Sequence, residues 1–175
     1  MKNRLADRML ARVAIVFLMV CSCGCGDSPQ SIRDHEGLFG GPVGISTVRN
    51  ATSVMAFRLP PASTPHDSLD EYEMIAGPIE VPDATASDLK DLILSPSVYG
   101  WEYVKACGEP EYGVRFQFQH MEEDVDVLVC FKCDHVGVYR NGLWVSGEDC
   151  DDARDDLLGI VKPLFPNDPS IQSLE

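Results

Sequence analysis

Three cysteines and one histidine in the second half of the chain are the residues best suited to do chemistry. A CxxC motif spans Cys130 to Cys133, Cys107 stands before it, and His135 follows it. Zinc prefers thiolate sulfur and imidazole nitrogen as ligands, and a CxxC pair can also act as a redox dithiol. The spacing therefore allows three interpretations, which are a thioredoxin-like dithiol, a zinc site and a structural disulfide.

The elements predicted on either side of the motif disfavour the redox interpretation. A thioredoxin-like CxxC lies at a strand-to-helix turn, where the helix N-terminus lowers the pKa of the attacking thiol. Residues 125–131 and 135–140 are both predicted to be extended, so no helix follows the motif. Zinc remains an alternative, although a second paired set of ligands is lacking. The four zinc ligands would be Cys107, Cys130, Cys133 and His135.

The strand pattern favours a structural disulfide between Cys107 and Cys133. The Cα atoms of residues three positions apart on an extended strand are about 10 Å apart, so we expect Cys130 and Cys133 not to bond to each other. An antiparallel turn near Glu122 brings Cys107 close to Cys133, and Cys130 is the alternative partner. Cys150 lies on the apolar face of a predicted helix and is most simply a buried thiol.

The elements that must position these cysteines follow from the alternation of apolar and polar residues. Residues 114–119 alternate strictly, which predicts a half-buried strand. The next strand, 125–131, is partly apolar on both faces and should be central in its sheet. A third strand is predicted over 135–140, and Asn141-Gly142 is a hairpin signal that leads into a fourth over 143–145.

The first half of the chain adds strands over 53–59 and 72–81, the second bent at Gly77-Pro78. A capping box over 85–88 predicts the start of one helix, and a second helix is predicted from about Asp149. This order predicts an α+β fold, an antiparallel sheet of about five to six strands with two helices packed on one face.

The first 25 residues predict export. A basic segment, 2–12, precedes an apolar run, 13–20, and cysteines follow directly. This layout is typical of a secretory signal peptide, because a run of eight apolar residues is too short to span a bilayer. Val20-Cys21-Ser22-Cys23 resembles the lipobox of bacterial lipoproteins, in which the cysteine is acylated. The resemblance implies a signal peptide over 1–22 and lipidation of Cys23, with Cys25 as the alternative site.

The lipobox resemblance also implies a location. Residues 23–46 predict a lipidated flexible tether, and 47–175 a single α+β domain. The net charge of −14 disfavours binding to nucleic acid or to anionic lipid head groups. Attachment to the cell envelope would therefore come from acyl chains such as palmitate. Because Gly24 rather than Asp follows Cys23, the outer membrane is favoured over the inner membrane.

The second half of the chain resembles a group of small uncharacterised bacterial proteins. The matching features are Cys107, the strand 112–116, the Val-Leu-Val-Cys-Phe-x-Cys segment 127–133 and the terminal Phe165-Pro166. This resemblance implies the fold and the arrangement of the cysteines, and it implies no activity.

These features favour a non-catalytic binding or scaffolding module of the cell envelope that acts on an unknown envelope partner. The sequence contains no nucleophile elbow, phosphate loop or metalloprotease helix, and we expect no cofactor and no enzymatic activity. The acidic segment 148–156 does not match an EF-hand and is typical of a helix start. The alternative function is a thiol-redox or zinc-site envelope protein built on Cys107, Cys130 and Cys133.

Overall fold

A computed structural model of the protein describes residues 35–63, 65–102 and 109–175. Within these ranges a six-stranded antiparallel sheet has the strand order β2-β1-β3-β4-β5-β6. Its strands are β1 Ser53–Ser63, β2 Ala76–Glu80, β3 Tyr112–His120, β4 Glu123–Cys130, β5 His135–Arg140 and β6 Leu143–Asp149. The α-helices are α1 Pro42–Arg49, α2 Asp83–Ile93, α3 Arg154–Leu164 and α4 Pro169–Gln172. The predicted α+β class is confirmed.

The predicted central strand is confirmed as β4, which pairs with β3 on one side and β5 on the other. Val114 pairs with Val129 across the β3–β4 hairpin, and Phe118 pairs with Val125. Residues 125–130 are all buried, which explains why both faces of this strand are partly apolar.

Two clusters of buried residues hold the domain together. The first cluster includes Phe116 and Val127 from the sheet and Val48, Leu89 and Val161 from α1, α2 and α3. The second cluster consists of Leu59, Leu69, Tyr72, Tyr112, Leu128, Cys130, Cys133 and Tyr139. Successive side chains on a strand point to opposite faces, so Val127 and Val129 of the first cluster lie on the other face of β4 from Leu128 and Cys130 of the second.

Both long helices begin at residues other than those predicted. Helix α2 begins at Asp83, directly after Pro82, because the extended backbone of this proline leads into the first turn. The predicted capping box over 85–88 therefore lies inside the helix. The segment predicted to start a helix at Asp149 ends β6 instead, and a 3-10 turn over Asp151–Ala153 precedes α3.

The predicted boundary between tether and domain at residue 46 is wrong. Residues 35–38 are helical, α1 begins at Pro42, and the side chains of Leu38 and Phe39 are buried in the first cluster. Burying these two side chains removes apolar surface from water, which a flexible tether would leave exposed. Residues 23–34 lie outside the described ranges. Across the described residues, no helix has the length and apolar character needed to cross a membrane.

Candidate functional site

The CxxC motif lies at the turn that joins β4 to β5. Strand β4 ends at Cys130, residues 131–134 form the turn, and β5 begins at His135. Asp134 has a φ of 51°, in the left-handed region that aspartate tolerates better than most residues, and this lets the chain reverse at once. The predicted strand over 125–131 is confirmed as far as Cys130, but the expectation that the extended backbone continues to Cys133 is wrong.

This turn brings the two cysteine sulfur atoms to within 3.0 Å of each other. The expected Cα–Cα separation of about 10 Å assumed an extended strand. This expectation is wrong, because the turn folds Cys133 back until its sulfur touches that of Cys130. A disulfide has an S–S length of about 2.05 Å, so the two side chains touch without being bonded. Both belong to the second cluster, where Cys130 is fully buried and Cys133 is 6% exposed.

The start of β3 supplies a polar contact to this pair. The backbone N–H of Glu111 donates a hydrogen bond to Sγ of Cys130 at 3.2 Å. This contact ties the Cys130 sulfur to the backbone directly before β3. Tyr112, the next residue, is buried in the same cluster, and burial raises the pKa of its phenol, with a further rise from Tyr72.

Helix α3 and the residues before it hold the turn in place. The guanidinium of Arg154 donates to the carbonyl oxygen of Phe131 at 2.7 Å and also pairs with the carboxylate of Asp134. The backbone N–H of Cys150 donates to the carbonyl oxygen of Asp134 at 2.7 Å. Two elements remote in sequence therefore fix the conformation that brings the cysteine sulfurs together.

The zinc set is only partly inside the described residues. Cys130 pairs with His135 across the β4–β5 ladder, and Nδ1 of His135 lies 3.4 Å from the Tyr112 hydroxyl. Within 35–63, 65–102 and 109–175, no group of three or more His, Cys, Asp or Glu side chains could hold a metal ion. Because Cys107 lies outside these ranges, the four-ligand zinc site stays a prediction.

The remaining predicted cysteine sites have different outcomes. Cys23, Cys25 and Cys107 lie outside the described residues, so the lipidation site and the Cys107–Cys133 disulfide stay predictions. The contact from Glu111 to Cys130 shows that Glu111, directly before β3, lies beside the motif. Cys150 is buried in the first cluster, as predicted, but it lies between β6 and the 3-10 turn rather than on the predicted helix.

Several buried polar groups beside the site were not predicted. Asp126 is buried and pairs with Arg115 at 2.8 Å, and the Arg115 guanidinium stacks over the Phe57 ring. Burial raises the pKa of Asp126 to about 6, although Arg115 acts in the opposite direction. The tyrosines of the second cluster also bond to each other, with 2.9 Å between the hydroxyls of Tyr72 and Tyr139. An acidic residue between two valines on a predicted central strand was the available signal for Asp126.

A wide cleft between α2 and α3 is the second feature that could bind something. It has a volume of about 640 Å³ and is lined by both helices. Its apolar side chains are Leu92, Ile160 and Leu164, all partly buried against the first cluster. Its acidic side chains are Asp88, Asp91 and Asp156, all exposed. Sequence reasoning missed this cleft because it forms only when two helices from distant parts of the chain meet.

Comparison with protein-family models, curated proteins and solved structures gives no match to this chain. The resemblances to the lipobox and to the Cys-Phe-x-Cys proteins therefore stay expectations that depend on the motifs alone. Among the described residues, the cysteine turn and the cleft between α2 and α3 are the features on which the functional proposals are based.

Proposed function

We propose that the protein is a lipid-anchored cell-envelope module that binds a protein partner without catalysing a reaction, through the cleft between α2 and α3. The anchor is supported by the basic, apolar and cysteine-containing segments at the N-terminus, with Cys23 as the acylated residue and Cys25 as the alternative. Each buried methylene of an acyl chain contributes about 0.8 kcal/mol to membrane binding. The outer membrane remains the favoured location.

The observation that carries the binding proposal is the combination of size and lining in this cleft. Its volume of about 640 Å³ lies within the range of roughly 300–1,000 Å³ that is usual for ligand sites. Leu92, Ile160 and Leu164 offer apolar surface between two helix walls. Such a groove suits a segment that can bury a row of apolar side chains.

The charge of the cleft selects the chemistry of the partner. Asp88 and Asp91 stand on α2, and Asp156 stands on α3, so acidic groups flank the apolar surface on both walls. The whole chain carries a net charge of −14, which attracts cations over a long range and repels anions. The partner that fits is a basic amphipathic segment of another envelope protein, with leucine-like side chains inward and lysine or arginine toward the aspartates.

Binding can be tested with the full chain in detergent and a labelled amphipathic peptide made of leucine and lysine. We expect fluorescence anisotropy to show binding, and no binding of a matching peptide made of leucine and glutamate. The triple variant Asp88→Asn, Asp91→Asn and Asp156→Asn should bind the basic peptide about tenfold more weakly, since three rim charges together contribute on the order of 1.4 kcal/mol.

The matched control changes the charge equally at exposed acids outside the cleft. Asp67→Asn, Asp70→Asn and Glu73→Gln together remove three negative charges from the loop before β2. This variant should keep nearly all of the affinity of the unmodified chain. If both triple variants weaken binding to the same extent, general attraction explains it, and the cleft is not the binding surface.

A further inference from the structure

We propose that Cys130 and Cys133 form a reversible disulfide with each other, which makes the β4–β5 turn a site of thiol–disulfide exchange. The site would react with a small disulfide or with an exposed disulfide of an oxidising protein. In the cell this inference rests on the export that belongs to the proposed function, because disulfides persist in oxidising compartments. The predicted bond between Cys107 and Cys133 is the competing outcome.

The geometry of the turn already matches the product. The sulfur atoms are 3.0 Å apart and a disulfide needs about 2.05 Å, so a movement of about 1 Å closes the bond. Arg154 and the backbone N–H of Cys150 bond to the carbonyl oxygens of Phe131 and Asp134, and so fix the turn without using either sulfur atom.

The two sulfur atoms are suited to different steps. Cys133 is 6% exposed and Cys130 is fully buried, so an incoming disulfide reaches Cys133 first. Sγ of Cys130 accepts the hydrogen bond from the Glu111 backbone N–H, which holds this sulfur within 3.0 Å of Sγ of Cys133. The buried cysteine is therefore prepared for the second, internal attack.

The exchange balances as two successive displacements. The Cys133 thiolate attacks one sulfur of the small disulfide, forms a mixed disulfide, and releases one thiolate of the oxidant. The Cys130 thiolate then attacks Sγ of Cys133, forms the internal bond, and releases the second thiolate. Two protein thiols lose two electrons and two protons, and the oxidant becomes two thiols.

A small cleft lies beside the turn, although neither cysteine lines it. Its volume is about 190 Å³, and its lining includes Glu111, Tyr112, Phe131 and Lys132. The side chain of Lys132, between the two cysteines in sequence, is exposed and pairs with the carboxylate of Glu111. Oxidised glutathione is the small disulfide that we choose as the probe.

The test uses the positions of lysine and arginine around the motif. The purified full chain is reduced, incubated with oxidised glutathione, alkylated under denaturing conditions and digested with trypsin. Because trypsin cleaves after Lys132, a Cys130–Cys133 bond joins peptide 116–132 to peptide 133–140. We expect this linked pair, with the loss of two hydrogen atoms, and expect the Cys107→Ser variant to form it equally well.

Other linkages give different peptide pairs. Cys107 lies in peptide 106–115, so its bond to either member of the motif would join 106–115 to 133–140 or to 116–132. Either pair as the main product, or complete alkylation of all three cysteines after incubation, would overturn the proposal. The reaction is measured on purified protein, so its failure would not contradict the proposed binding at the cleft. In the same way, failure of peptide binding at the cleft would not contradict the proposed disulfide.

Discussion

The two buried clusters stabilise the same sheet by different means. In the first cluster, valines, leucines and phenylalanines of the strands pack with residues of α1, α2 and α3, and nearly all contacts are between apolar groups. In the second cluster, three tyrosines and two cysteines replace most of these residues, and their polar atoms need specific partners. The first cluster therefore depends mainly on volume and the second also on hydrogen bonds, and the neighbouring cysteine sulfurs lie in the second.

The largest effect should come from removing volume in the first cluster. Phe116 is fully buried in the middle of β3, so Phe116→Ala leaves a cavity that the neighbouring valines cannot fill. We expect the free energy of unfolding to fall by about 3–5 kcal/mol, measured by urea denaturation. Gln119→Ala, at an exposed position of the same strand, should change it by less than about 0.5 kcal/mol. Equal effects of the two substitutions would contradict the assignment of the core.

On the second cluster's side of the sheet, Asp126 should make the free energy of unfolding depend on pH. Burial raises the pKa of Asp126 to about 6, so the folded protein holds this proton at pH values where the unfolded chain has lost it. Stability from this group is therefore present near pH 4 and is lost as the pH rises to about 6. Between pH 4 and pH 7 the free energy of unfolding of Asp126→Asn should therefore rise by up to about 3 kcal/mol relative to that of the unmodified chain, as measured by urea denaturation at each pH.

Glu123 on the same strand is the matched control with the opposite sign. Its hydrogen bond from Arg140 lowers the pKa of the Glu123 carboxyl, so its contribution is present at neutral pH and is lost on acidification. Glu123→Gln should therefore lose stability relative to the unmodified chain as the pH rises from 3 to 7. If Asp126→Asn shows the same direction as Glu123→Gln, the Asp126 carboxyl ionises before the pH reaches 6.

A smaller effect should follow from deleting one hydroxyl in the second cluster. The Tyr139 hydroxyl donates to the carbonyl oxygen of His66 at 2.6 Å and lies 2.9 Å from the Tyr72 hydroxyl. Tyr139→Phe should lower the free energy of unfolding by about 1–3 kcal/mol, because the His66 carbonyl and the Tyr72 hydroxyl stay in place without the Tyr139 hydroxyl. In a double-mutant cycle with Tyr72→Phe, the two losses should be coupled by at least about 0.5 kcal/mol. Strict additivity would show that the two hydroxyls act independently.

The contrast between the clusters also explains which parts of the structure could be predicted. Alternation over 114–119 predicts β3, since burial on one face is a local property of the sequence. The turn after Cys130 escaped prediction because Phe131 continues the apolar alternation of β4. The reversal depends on Asp134 and on Arg154 of a later helix, and neither has a local signal. The tyrosine contacts and the cleft between α2 and α3 depend in the same way on residues far apart in the chain.

The measurement that tests the central claim most directly is mass spectrometry of the mature N-terminus after expression in a bacterium. Cleavage and acylation at Cys23 predict a tryptic peptide covering 23–33 that carries acyl chains on its first residue. The Cys23→Ala variant should remain uncleaved or lose its acyl chains. An acylated peptide that begins at Cys25 would move the site by two residues and keep the anchor. An intact, unmodified peptide covering 13–33 from the unmodified chain would contradict lipid anchoring and with it the proposed location.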